Sequence, residues 1–187
     1  QTNMFFQLLS DYKKVDGFGY SCPTNVVAGH GALSSISKAI VDLGCKRALI
    51  LTDPGVKAAG LADLVKNALA DFCIGVFDKI PADPDLEAVD AATEAARELK
   101  ADCIVSVGGG SVIDTAKGVC VTLKNGGKAN DYLNFMVLTE PQTPHIAIPT
   151  TSGTGSEVTN IAVLTSHGAG RKLFIVDPKI MPNVAIL

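Results

Sequence analysis

The sequence predicts an α/β fold, a parallel sheet with helices on both faces, with a β-hairpin added near the end. Three observations predict it. Short apolar runs at 48–52, 74–77, 103–107 and 145–148 have no polar face, the pattern of strands buried on both sides. Longer segments between them carry apolar residues at helical spacing. The two patterns alternate, as they do in right-handed βαβ units.

Residues 25–28, Asn-Val-Val-Ala, form a short first strand. A helix follows over 32–43, with Leu33, Ile36, Ala39, Ile40 and Leu43 on one face. The strand at 48–52 leads to a helix over 61–69, then to a core strand at 74–77. The next helix spans 86–99, with Asp85 as its cap. The strand at 103–107 runs into Gly108, Gly109 and Gly110, and a helix from Ser111 to about Lys124 carries Val112, Ala116, Val119 and Cys120 inward. Pro149 stops the strand at 145–148. Strands at 161–164 and 173–176, joined by a polar turn at 167–170, read as a hairpin, and 183–187 reads as a last strand.

Composition narrows the function. The chain has 187 residues, 47% hydrophobic and 19% charged, enough for one compact domain spanning 1–187. Its formal net charge is −3 and it has no basic block, which argues against nucleic-acid partners. No apolar run reaches the roughly 20 residues that span a bilayer. Residues 1–11 lack the basic and apolar regions of a signal peptide, so a cytoplasmic protein is expected. Cys22, Cys45, Cys73, Cys103 and Cys120 include no Cys-x-x-Cys pair and read as reduced, mostly buried thiols.

Ligands of such sheets bind at the carboxyl ends of the strands. Two glycine loops lie there. Gly29-His30-Gly31-Ala32-Leu33-Ser34 precedes a helix, but Ser34 stands where a dinucleotide fingerprint has its third glycine. Gly108, Gly109, Gly110 and Ser111 follow a stronger strand. Glycines there let main-chain N–H groups approach a phosphate, and the helix N-terminus adds unpaired donors. No Gly-Lys-Ser/Thr follows, so this is not a Walker loop. Asp53 ends a strand and has two open readings, ribose acceptor or helix cap before Pro54. Thr150-Thr151-Ser152-Gly153-Thr154-Gly155-Ser156-Glu157 offers hydroxyls at another strand end, while Thr154 and Glu157 have capping-box spacing. Asp114 reads as support for its helix end. His30, His145 and His167 have no metal-ligand spacing.

Gly-Gly-Gly-Ser-x-x-Asp at 108–114, followed by Pro-Thr-Thr-Ser-Gly-Thr-Gly-Ser-Glu-Val-Thr at 149–159, resembles the iron-containing (group III) alcohol dehydrogenases. The resemblance covers about 28–187. It implies a Rossmann-like NAD-binding domain in which Gly108, Gly109, Gly110 and Ser111, with Val112 beside them, hold the pyrophosphate. Gly29 and Gly31 then only turn the chain. Asp53 would contact the adenosine ribose and favour NAD over NADP. Asp83 would lie near the adenosine, at a position often Asn. Thr150, Thr151, Thr154 and Thr159 would line the cofactor, and Lys172 the nicotinamide ribose. The family's metal site, one Asp and three His holding iron or another divalent metal such as zinc, belongs to an all-helical domain whose Gly-Met-Asp-Ala-Leu motif is not found in these residues. The chain is therefore expected to be part of a longer protein, to carry no metal site or catalytic residue of its own, and to be inactive alone. The implied partners are a primary alcohol or aldehyde and a second copy in a homodimer. Rival readings are a glycerol dehydrogenase or dehydroquinate synthase relative, a stand-alone nucleotide-binding module, and more weakly a phosphotransferase.

Overall fold

The computed structural model describes residues 21–136, 138–166 and 170–187. Among the described residues nine strands and five α-helices follow one another: β1 (Asn25–Val27), α1 (Ile36–Asp42), β2 (Ala48–Thr52), α2 (Pro54–Ala58), α3 (Leu61–Leu69), β3 (Cys73–Phe77), α4 (Leu86–Glu98), β4 (Cys103–Gly108), α5 (Gly110–Asn125), β5 (Asn134–Phe135), β6 (His145–Pro149), β7 (Ile161–Ser166), β8 (Arg171–Val176) and β9 (Val184–Ile186). Six strands form a parallel sheet in the order β1-β9-β6-β4-β2-β3. Short 3-10 turns join several elements.

Strands without a polar face end up in the middle of the sheet because only there are both faces covered. Every residue of β2 and of β4 is buried. On one face, Ile36 and Ile40 of α1 and Val65 and Leu69 of α3 pack on Ile50, Val105 and Ile146. On the other, Val89, Ala92 and Ala96 of α4 and Val112, Ala116 and Val119 of α5 pack on Leu49, Leu51 and Ile104. Truncating one such side chain, as in Leu69→Ala, costs about 2–5 kcal/mol. The Thr52 hydroxyl donates to the Val107 carbonyl at 2.7 Å and closes the carboxyl end of the β2–β4 pair.

Three features differ from the sequence reading. The helix expected over 32–43 opens as a 3-10 turn at Ala32–Ser35, entered through Gly31 at φ 78, and becomes α-helical at Ile36. The five-residue α2 was not foreseen; it is too short to show a period, and its signal is the Asp53-Pro54 pair, cap followed by first-turn proline. The expected hairpin, β7 antiparallel to β8, is extended by β5 pairing parallel to β8 into a three-stranded sheet. The turn foreseen at 167–170 lies, for 167–169, outside the described residues. Ala162, Leu164 and Ile175 face the core shared with α5. Among the described residues no helix is long and apolar enough to cross a membrane.

Candidate functional site

The chain leaves β2 outward to β3 and leaves β4 the other way to β6, so the connections diverge between β2 and β4. A crevice opens at such a switch point. Here it is a cleft of about 830 Å³ lined by 53–56, 78–82, 109–112, Thr150 and Thr151.

The glycine turn forms its floor. A β-carbon at Gly108 would lie 2.5 Å from Cγ2 of Val112, which itself is buried, so the strand can meet the helix this closely only with glycine. At Gly109 a β-carbon would stand 3.1 Å from the Thr151 hydroxyl oxygen. The Gly109 carbonyl accepts from the N–H groups of Val112 and Ile113, both at 3.1 Å. The first-turn N–H groups of Gly110 and Ser111 have no main-chain acceptor among the described residues. They end a 16-residue helix capped by no side chain, which is an anion-binding arrangement. The Ser111 hydroxyl donates to the Ala82 carbonyl at 2.6 Å, so the strap 78–82 lies against the turn.

Asp53 resolves its two readings by holding both positions. Its Oδ1 accepts from the Val56 N–H at 2.9 Å and caps α2, yet the residue also lines the cleft. Thr150 is fixed by its N–H donating to the Gly108 carbonyl at 3.0 Å. Thr154 sits behind the turn: its Cβ would be 3.5 Å from a β-carbon at Gly110, and its hydroxyl accepts from the Ser156 N–H at 3.3 Å. The anticipated capping box does not form, because Gly155 occupies the cap position of the turn Ser156–Val158.

Five expected site residues are not part of the lining: Gly108 and Thr154, set behind the turn, and Asp83, Thr159 and Lys172, which stand away from it. Asp83 and Lys172 form an ion pair, and Asp83 also accepts from the Thr165 hydroxyl at 2.8 Å. The resemblance separates these two residues along the cofactor; the fold joins them because the Thr165 N–H donates to the Pro84 carbonyl at 2.8 Å and draws the 83–85 loop onto β7. Thr159 turns its hydroxyl to Lys117, at 3.1 Å from Nζ.

Lys117 is the feature that sequence reasoning underweighted. It is fully buried on α5, and its ammonium donates to Asp114, to the hydroxyls of Ser156 and Thr159, and to the Ile161 carbonyl at 2.6 Å. Asp114 accepts from the Ser156 hydroxyl with Oδ1 and from the Val163 N–H, at 3.0 Å, with Oδ2. Burial lowers the Lys117 pKa, against the pull of Asp114. The available signal was a lysine inside an otherwise apolar stretch, three residues after an aspartate. His145 is also fully buried. Its Nε2 shares a hydrogen bond with the Ser106 hydroxyl at 2.8 Å, and burial together with the Lys117 charge lowers its pKa to about 3.

Sites that sequence reasoning passed over also line the cleft, namely Asp78, Lys79 and the Ile80-Pro81-Ala82 strap. All five cysteines are free thiols, and burial raises that of Cys120. Among the described residues no three His, Cys, Asp or Glu side chains group as a metal site.

Comparison with known proteins gives the family and the fold. A family model described as iron-containing alcohol dehydrogenase matches residues 23–187. The NAD-dependent methanol dehydrogenase of Bacillus methanolicus is 36% identical over 167 residues, covering 88% of this chain and 44% of the relative. The crystal structure of a 1,3-propanediol oxidoreductase superimposes with a TM-score of 0.85 at 33% identity, over 91% of this chain and 45% of that one. The sulfoacetaldehyde reductase of Bifidobacterium kashiwanohense, solved with NAD+, gives 0.81 at 30% identity, over 91% and 46%. The chain thus spans less than half the length of these relatives.

Proposed function

The chain belongs to the iron-containing alcohol dehydrogenase family, and from that premise we propose that it binds NAD and forms the cofactor half of an enzyme moving a hydride between a primary alcohol and its aldehyde. The observation that carries this is the glycine turn, whose unpaired Gly110 and Ser111 N–H groups lie on the floor of the cleft beside Asp53. A cradle that a β-carbon would fill and a helix N-terminus without a side-chain cap fit a pyrophosphate. NAD, when bound, supplies the nicotinamide carbon that takes or gives the hydride.

The chain's own residues then act as follows. Gly110 and Ser111 donate to the pyrophosphate, and the α5 dipole favours its charge. Asp53 keeps Oδ1 on the Val56 N–H and offers Oδ2 to the adenosine ribose, where a 2′-phosphate would be repelled. Thr150 and Thr151 close the opposite wall. Lys172, on β8 and held by Asp83, reaches from outside the cleft lining to the nicotinamide ribose. The described residues do not offer a metal ligand set, so no step is assigned to iron on this chain.

The names of the relatives favour alcohol and aldehyde chemistry over the dehydroquinate synthase and stand-alone module readings. A cytoplasmic homodimer belongs to the same proposal. Five free thiols suit a reducing compartment. Among the described residues β1 pairs only with β9, which leaves its outer edge open to a second copy. Calorimetric titration with NADH tests the reading: saturable binding at one site per chain is expected, and no binding overturns it.

A further inference from the structure

We infer that Lys117 is a positioning residue for the cofactor site, its buried ammonium fixing the far end of the 150–155 loop so that Thr150 and Thr151 stand against the glycine turn. The inference rests on the NAD-binding reading above, and its structural part stands on geometry alone.

The 150–155 loop has two anchors. At its start, the Thr150 N–H donates to the Gly108 carbonyl, in register with the Gly108–Pro149 pairing of β4 and β6. At its end, Ser156 meets α5, where its hydroxyl donates to Asp114 and accepts from Lys117 at 3.2 Å. Lys117 also holds the Thr159 hydroxyl and the Ile161 carbonyl, and Asp114 holds the Val163 N–H. One ion pair on the helix that begins at the glycine turn thereby organises main-chain and hydroxyl groups from 156 to 163. The same helix fixes both sides of the gap in which Thr151 approaches to 3.1 Å of a β-carbon position at Gly109.

Lys117 does not line the cleft; it acts through the loop. A fully buried ammonium is a costly way to stabilise a fold, since a well-packed apolar side chain does as well or better. What an apolar residue does not supply is three N–H donors shared among four oxygens on two segments at once. That geometric demand separates positioning from mere stability.

The test uses the 187-residue chain with Lys117→Met and Thr159→Val. The second removes one partner of the ammonium by a near-isosteric change and keeps the test open if the first does not fold. Affinities for NADH and for AMP, which needs the Asp53 side of the cleft, are measured together with amide hydrogen exchange. The expected result is a loss of at least tenfold in NADH affinity with AMP binding within twofold for Lys117→Met, a smaller loss in the same direction for Thr159→Val, and faster exchange at Val158 and Val163 with β2 and β4 unchanged. Equal losses for both ligands, or an unchanged ratio and unchanged exchange, overturn the inference. If the unsubstituted chain fails to bind NADH, the functional reading falls, and the exchange measurement still decides whether Lys117 holds the loop.

Discussion

The Ser111 hydroxyl donates to the carbonyl oxygen of Ala82 at 2.6 Å, joining the first turn of α5 to the strap 78–82 across 29 residues of sequence. Both partners line the cleft, so the bond sets the distance between two of its walls. Ser111→Ala should lower NADH affinity about fivefold, since one hydrogen bond is worth about 1 kcal/mol. Gly109→Val should weaken binding more severely, because even a β-carbon there meets the Thr151 hydroxyl oxygen at 3.1 Å. Titration of each variant beside a thermal melt checks this, and unchanged affinity in both would refute the cradle.

Asp53 allows its two duties to be separated. Asparagine caps a helix as well as aspartate does, so Asp53→Asn should leave the melting temperature in place. Its lost charge should raise NADPH affinity relative to NADH by about tenfold, as a like-charge contact with the 2′-phosphate is removed. Asp53→Ala should lose the cap as well, at about 1 kcal/mol. Parallel titrations with the two cofactors decide it.

His145 makes the fold sensitive to acid. Burial, then the Lys117 charge, lowers its pKa from 6.5 to about 3. Above pH 6.5 neither the folded nor the unfolded chain protonates it, and its contribution is fully present. As pH falls from 6.5 toward 3 the unfolded state alone takes up the proton, so stability drops by at most about 1.4 kcal/mol per pH unit. Urea unfolding at pH 7, 5 and 4 should show this slope, and His145→Met should flatten it. An equal slope in both proteins would assign the acid sensitivity elsewhere.

The Asp83–Lys172 pair should matter to ligand and hardly to stability. Its side chains are 57% and 52% exposed, and surface pairs contribute about 0–1 kcal/mol. Lys172→Ala is expected to move the melting temperature by no more than about 4 °C, while weakening NADH severalfold. A large melting shift with unchanged affinity would make the pair purely structural.

Alcohol oxidation should be undetectable with these 187 residues, NAD+ and added ferrous iron, because the described residues offer no three-ligand metal group. Absorbance of NADH at increasing ethanol or butanol concentration reads the outcome directly, and turnover would place a catalytic centre within this chain.

Alternation of apolar runs and amphipathic segments specified the parallel sheet, because strands such as Ala48–Thr52 and Cys103–Gly108 have no face that tolerates water. Gly108 to Ser111, placed between a strand and a helix, also mark the floor of the cleft. These features are local in sequence: a period, a turn chemistry, a helix start. Tertiary structure alone decided the rest. That β5 joins β8, that Lys172 meets Asp83 89 residues away, and that Lys117 reaches Ile161 all depend on how the segment after Pro149 folds back over α5. Such contacts are long-range and satisfied by polar groups with no period to betray them. Lysine in particular reads as solvated in any sequence, and only the packing of α5 against the 156–163 segment put this one in the core, where its charge had to be answered by Asp114 and three further oxygens.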